Sequence, residues 1–278
     1  MMDEIRYGAA PADIDGYTTD DLRAAFLVGG LFPSDAVRLV YTHLDRLILG
    51  GCAPREETVV FGHGAGIGTP HLLSHREMGI ANLGGAGRVD VDGRRFDLGN
   101  RDVLYVGRGA QRLALASADP ADPARFYLNC VPSQADHPHR LITRAEAKPL
   151  DLGEERRANR RTLRMYIHPE VAPSSLLLMG ITDLAPGSLW NTMPPHLHER
   201  RMEAYLYFDL DPEDRVVHLM GRPAATRHLM VADGEAVLSP AWSIHMGAGT
   251  GPYAFVWGMT GENQHYTDVD PVPVATLR

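Results

Sequence analysis

Cysteine is scarce: Cys52 and Cys130 are the only two in 278 residues. That count excludes a disulfide-stapled secreted scaffold and fits a reducing compartment, the cytoplasm by default. Long apolar runs are missing too. Nowhere does an unbroken apolar stretch reach the roughly eighteen residues of a membrane span, and the Met1-Met2-Asp3-Glu4-Ile5 start has neither a basic nor an apolar segment. Neither a membrane helix nor a signal peptide is expected. Positive charge is in deficit, with 27 Lys and Arg against 35 Asp and Glu, a net charge of −8. A general nucleic-acid surface is disfavoured on that balance, and no basic stripe or DNA-binding helix pair is evident. A small anionic substrate remains compatible, because a pocket can be locally positive in an acidic protein.

Glycine and proline, by contrast, are plentiful, 28 and 20 residues scattered among short apolar runs. They punctuate strands better than they would long helices. One short helix is expected from Asp20 to Leu27, capped by Thr18 or Thr19 and stopped by Gly29-Gly30. Strand-like segments follow at 37–42, 44–49 and 57–61, then a hairpin over 87–98 with Asp92-Gly93 at its tip, then 102–106, 112–116 and 124–129. Residues 131–160 are polar, contain Pro132, Pro138 and Pro149, and read as a crossover. Strands resume at 163–167 and 175–179 and continue to 253–257. The expectation is an all-β chain of two small antiparallel β-barrel or jelly-roll lobes with a few short helices. The N-terminal lobe is placed at 1–140 without a clear metal site, and the C-terminal, metal-binding lobe at 141–278.

The chemistry concentrates in Asn191-Thr-Met-Pro-Pro-His196-Leu-His198-Glu-Arg-Arg-Met-Glu203. Two histidines two residues apart share one face of a strand. Glu203 follows His198 at an odd interval, so a bulge or bend at 199–201 is needed to bring its carboxylate to the same side. Imidazole nitrogen with carboxylate oxygen suits zinc, manganese, iron or nickel better than calcium or magnesium. A fourth ligand is required, and His245, just ahead of Gly247 and Gly249, is the preferred candidate over His218, His228 and His265. Thirteen histidines make a chance His-x-His pair plausible, but the nearby glutamate and the remote histidine favour a metal. His71 and His75 form a weaker pair, and the Gly-rich run 83–87 lacks the Lys-Ser/Thr of a phosphate loop. Arg200 and Arg201 are candidate carboxylate binders. Glu262, His265 and Tyr266 are candidate proton carriers, and Trp190, Trp242 and Met259 candidate pocket walls.

The spacing His196-x-His198-x4-Glu203, with Gly234-x5-Pro240-x-Trp242-x2-His245 downstream, resembles the two motifs of the cupin superfamily. Trp242 and Gly249 depart from the usual second motif. A closer resemblance, carried by 39–46, 76–87, 102–107, 189–194, 196–203, 239–245 and 257–264, is to the 5-keto-4-deoxyuronate isomerase family of pectin breakdown. That resemblance implies a bicupin, assembled as a homohexamer, with one Zn2+ per chain on His196, His198, Glu203 and His245. It also implies an aldose–ketose isomerisation between 5-dehydro-4-deoxy-D-glucuronate and 3-deoxy-D-glycero-2,5-hexodiulosonate. Glu262, His265 or Tyr266 would relay the proton, and Arg201 or Arg200 would hold the carboxylate. An iron-dependent cupin dioxygenase and a non-enzymatic sugar-acid-binding cupin are the alternatives.

Overall fold

A computed structural model of the chain describes residues 2–262 and 267–278. Its strands sort into two units, and neither unit is a single contiguous stretch. The first comprises Met1–Arg6, Gly30–Lys148 and Met165–Met179; the second comprises Tyr7–Gly29, Pro149–Arg164 and Gly180–Arg278.

In the first unit a seven-stranded sheet runs in the order Glu4–Arg6, Arg38–Thr42, Ile48–Cys52, Phe126–Pro132, Arg76–Asn82, Val103–Val106 and Arg140–Ile142. A four-stranded sheet of Val59–Phe61, Leu113–Ser117, Gly87–Val91 and Arg94–Leu98 accompanies it. Inward residues of both sheets, among them Ile48, Ile80, Val89, Leu113, Phe126 and Leu128, form one buried apolar cluster. The hairpin forms where its turn residues demand it. Asp92 and Gly93 both take positive φ (50° and 88°), as a tight two-residue connection requires. The Asp92 carboxylate then accepts from the backbone N–H groups of Gln111 and Arg112, tying the hairpin to its neighbouring strand.

A buried carboxylate organises another part of this unit. Glu77 is fully buried; its Oε1 accepts from the N–H groups of Leu176 (2.7 Å) and Leu177 (2.8 Å). Its Oε2 accepts from the Ser175 N–H (2.8 Å), the Tyr105 hydroxyl (2.7 Å) and the Ser133 hydroxyl (3.3 Å). Burial, reinforced by Glu77, pushes the Tyr105 pKa well up, so its hydroxyl stays a donor.

The second unit holds most of a seven-stranded sheet in the order Lys148–Leu152, Arg161–Ile167, Leu178–Leu184, Ala254–Gly261, Arg201–Phe208, Ala236–Ser239 and Leu27–Val28. A three-stranded sheet (Ala225–Val231, Val216–Arg222, Met246–Gly249) and the pair His196–Leu197 with Asp270–Pro271 complete it. The expected helix spans Thr19–Phe26 and opens with a capping box, in which Thr18 and Asp21 satisfy each other's backbone N–H. It stops before the glycines, because Leu27–Val28 leaves it to pair with Val237 and Ala236 at the sheet edge.

Three expectations need correction. The sheets do not close into barrels: each ends on free edge strands, Glu4–Arg6 and Arg140–Ile142 in the first unit's larger sheet, and the sheets are not uniformly antiparallel, since Glu4–Arg6 runs parallel to Arg38–Thr42. Alternation in a sequence marks which strand face is buried but is identical for facing open sheets and for a closed barrel, so it does not specify closure. The crossover at 131–160 contains two edge strands, Arg140–Ile142 and Lys148–Leu152. The second is exposed at four of its five positions, and such a strand carries no apolar alternation. Finally, the strand expected at 44–49 begins at Ile48, because Asp45 and Arg46 form a turn with φ of 42° and 55°. Two consecutive non-glycine residues in the left-handed region give no turn signal in sequence.

Candidate metal centre

His196, His198, Glu203 and His245 come together as the sequence predicts. One ligand atom from each lies within 4.8 Å of all the others, the sole such His/Cys/Asp/Glu group among the described residues. Two local features accomplish this. The strand His196–Leu197 is followed by a turn at 199–200, closed by the Arg201 N–H donating to the His198 carbonyl (3.1 Å), and Arg201–Phe208 then starts with its alternation reset. Glu203 and Tyr205 thereby share the face that lines the cavity. Glu203 pairs in register with Ser239, and the chain leaves that strand through Pro240 to bring His245 back, one residue before Met246–Gly249. The approach to His196 passes through a cis Met193–Pro194 bond.

The donor spacing fits a single first-row ion. His196 Nε2 is 2.9 Å from His198 Nε2 and 3.1 Å from His245 Nε2, while Glu203 Oε2 is 3.1 Å from His198 Nε2 and 2.9 Å from His245 Nε2. Ligand atoms each about 2.0–2.2 Å from one ion and roughly at right angles about it sit about 3 Å apart. A single cation among these converging lone pairs would satisfy all of them together. The outward nitrogen of His245 is arranged to allow it: Nδ1 lies 3.3 Å from both the Ser243 carbonyl and the Ser239 hydroxyl. A proton on Nδ1 donated to a carbonyl leaves the Nε2 lone pair facing inward.

Electrostatics keeps the set in its ligating form. Burial, then the His245 and His198 rings, lowers the pKa of His196 to about 2, and burial also lowers that of His198. Burial alone would raise Glu203, but His245 and His198 outweigh it and hold the carboxyl well below its ordinary value. Burial thus favours the neutral, ligating imidazole at His196 and His198, and Glu203 stays a carboxylate.

His196, His198 and Glu203 form part of the wall of a cavity of about 310 Å3 that also includes Arg161, Thr182, Thr192, Tyr205, Phe255, Trp257 and Met259. Gly180 makes room for one wall: a Cβ there would fall 2.1 Å from Trp257 Cζ2. Arg201 is not among the lining residues. It is fully buried, with Nε 3.2 Å and Nη2 3.1 Å from His198 Nδ1, and Nη2 donates to the Asp268 carbonyl (3.2 Å). Arg200 is exposed and reaches the Asp268 carboxylate at 3.5 Å. Glu262 is exposed and does not line the cavity; His265 and Tyr266 lie outside the described residues. Of the other histidines, His218 is buried with Nδ1 2.7 Å from the Tyr207 hydroxyl, and His228 is exposed. Met259 lines the cavity; Trp190 and Trp242 do not. Arg161, the cation that does line it, gave no sequence signal, since it sits in a strand far from the histidine motif.

The sequence profile described as the KduI/IolB family matches residues 57–272. The chain belongs to the KduI/IolB family. Among its relatives, a 4-deoxy-L-threo-5-hexosulose-uronate ketol-isomerase of Dickeya dadantii (strain 3937) is 49% identical over 262 residues, covering 94% of each chain. A protein of the same name from Yersinia pestis (strain Pestoides F) has the same identity and coverage. In the same family by name, an IolB-like protein from Salmonella typhimurium is similar in structure (TM-score 0.68, 14% identity, 81% of this chain and 87% of that one). An oxalate decarboxylase from Lactobacillus farciminis shares the fold more loosely (TM-score 0.58, 13% identity, 83% and 82%). These distant likenesses establish the fold alone.

Proposed function

We propose that this KduI/IolB family member is a metal-dependent ketol-isomerase of hexuronate intermediates in pectin breakdown, interconverting 5-dehydro-4-deoxy-D-glucuronate and 3-deoxy-D-glycero-2,5-hexodiulosonate. The observation that carries the reading is 49% identity across 94% of both chains to ketol-isomerases of that substrate class. The four-donor cluster, three of whose members line a cavity, supports it independently.

His196, His198, Glu203 and His245 hold one divalent ion, of the Zn2+ type. When bound, such an ion polarises a carbonyl and acidifies the neighbouring hydroxyl. The chain supplies the rest. Arg161 takes the substrate carboxylate, as the cation that lines the cavity. Thr192 and Tyr205, whose hydroxyls lie 3.1 Å apart, orient sugar hydroxyls. Phe255, Trp257 and Met259 exclude water from the reacting carbons. Glu203, buried and held ionised, is a ligand and not the proton carrier. The proton moves between adjacent carbons through His265 or Tyr266. Arg201 positions His198. A cytoplasmic homohexamer completes the proposal; light scattering on the purified protein reads the assembly.

The deciding experiment measures metal content and anaerobic turnover of the unsaturated-uronate product in wild type and His198→Ala. One zinc per chain and oxygen-independent isomerisation, both lost in the variant, is the expected result. Stoichiometric iron with oxygen uptake, or bound metal without turnover of any uronate, would sink it.

A further inference from the structure

The first unit has a concavity of its own, about 440 Å3, that the metal chemistry does not use. Its polar lining is Tyr41, His43, Arg46, Thr69, His75 and Arg76, and no carboxylate is among the lining residues. In a chain of net charge −8, a hollow walled only by cationic and neutral groups runs against the average surface, and low-dielectric walls concentrate its field.

The two arginines have different jobs. Arg76 is only 7% exposed and its donors go to neutral carbonyls: Nη1 to Arg46 (2.9 Å) and Cys130 (3.2 Å), Nη2 to Arg46 (2.8 Å). Its guanidinium also sits 5.7 Å from the centroid of the Tyr41 ring, against which His43 packs edge-on at 5.0 Å. Arg76 thus fixes the backbone of the Asp45–Arg46 turn, where both residues hold left-handed φ values of 42° and 55°. Backbone in that region is costly for non-glycine residues and persists where surrounding contacts enforce it. The residue so held, Arg46, is exposed, and its guanidinium has no ion-pair or hydrogen-bond partner among the described residues. A strained turn clamped from behind therefore presents an unpaired, always-charged fork at a hollow that also has an aromatic and aliphatic wall.

We propose that this hollow is a second ligand site, taking the carboxylate or phosphate group of a small organic anion on Arg46, with the ligand's carbon skeleton against Tyr41 and Ile67. The inference does not depend on the isomerase reading, because it rests on the first unit alone.

Calorimetric titration of the metal-loaded full chain with D-galacturonate, D-galactose 6-phosphate and uncharged D-galactose tests it. At least one anionic probe should bind saturably to wild type and to Arg161→Gln alike, and added salt should weaken that binding. Arg46→Gln should weaken it by about tenfold or more, with no change in melting temperature and none in turnover by the metal centre. Whichever anion binds identifies the source as carboxylate or phosphate. No saturable binding by either anion, equal binding to wild type and Arg46→Gln, loss of binding in Arg161→Gln, or equal binding of galactose would overturn the proposal.

Discussion

Replacing Glu77 by glutamine changes one atom and should destabilise the protein severely. The carboxylate accepts from five donors, two on Oε1 and three on Oε2. An amide retains one acceptor oxygen and turns an NH2 toward the other set. Even in the milder orientation, with oxygen kept at the Oε2 position, the Leu176 and Leu177 N–H groups lose their acceptor and face further donors. Each buried donor left unsatisfied costs about 1–3 kcal/mol, so the loss is roughly 2–6 kcal/mol. That is a large part of the ~5–15 kcal/mol that separates folded from unfolded proteins. At about 2–4 °C per kcal/mol for a unit of this size, the melting temperature should fall by roughly 4–24 °C. Thermal melts of the zinc-loaded protein by circular dichroism read this directly. Tyr105→Phe, which removes a single donor and leaves the carboxylate in place, should shift the melt by much less. If Glu77→Gln melts within about 2 °C of wild type, the carboxylate does not hold the 175–177 backbone and the accounting above is wrong.

Other outcomes follow from the second unit. Arg201→Lys keeps the charge but loses the fork beside His198 Nδ1, so zinc affinity in a chelator competition should drop by about 10–100-fold, as for other groups that orient a metal-binding histidine; unchanged affinity would remove Arg201 from that role. Arg161→Gln should raise KM for the uronate by about tenfold or more while leaving zinc content at the wild-type level, and a KM that does not move would mean another group receives the carboxylate. Burial lowers the pKa of His218 from 6.5 to about 3. The unfolded chain therefore takes up a proton below pH 6.5 that the folded one refuses, and this stability is complete above that value and erodes as pH falls toward 3, by at most about 1.4 kcal/mol per pH unit. Urea titrations across that range should show a shallower slope for His218→Gln, which keeps an acceptor for Tyr207 but cannot titrate; an identical slope would contradict the buried neutral assignment.

What could be read ahead of the structure follows how local its cause is. The metal cluster was legible because three of its four members sit within eight residues and the reset between His198 and Glu203 is a matter of strand parity. His245 was legible as a histidine returning after a strand. The Asp92-Gly93 hairpin and the Thr18 cap were legible because their side chains and dihedrals act on their own neighbours. Arg161 was not, because its place on the cavity wall depends on which strands pair across more than forty residues. Arg201 was picked out but for contact with substrate, whereas its burial against His198 depends on the turn at 199–200. Closure of the sheets failed for the same reason as Arg161: alternation specifies a buried face and is silent about the partner beyond the edge.

The way the chain is shared between its two units governs how it can be made. Residues 165–179 belong to the first unit although the second has already resumed at Pro149, and Tyr7–Gly29 belongs to the second although the first surrounds it in sequence. As the polypeptide leaves the ribosome, the first unit is incomplete until Leu177 emerges to meet Glu77, a hundred residues after it. Leu27–Val28 must wait still longer, for Ala236 and Val237, before it has a neighbour to pair with. No single cut yields either unit whole, so a truncated product of either half should be a substrate for proteases and chaperones and not a working module.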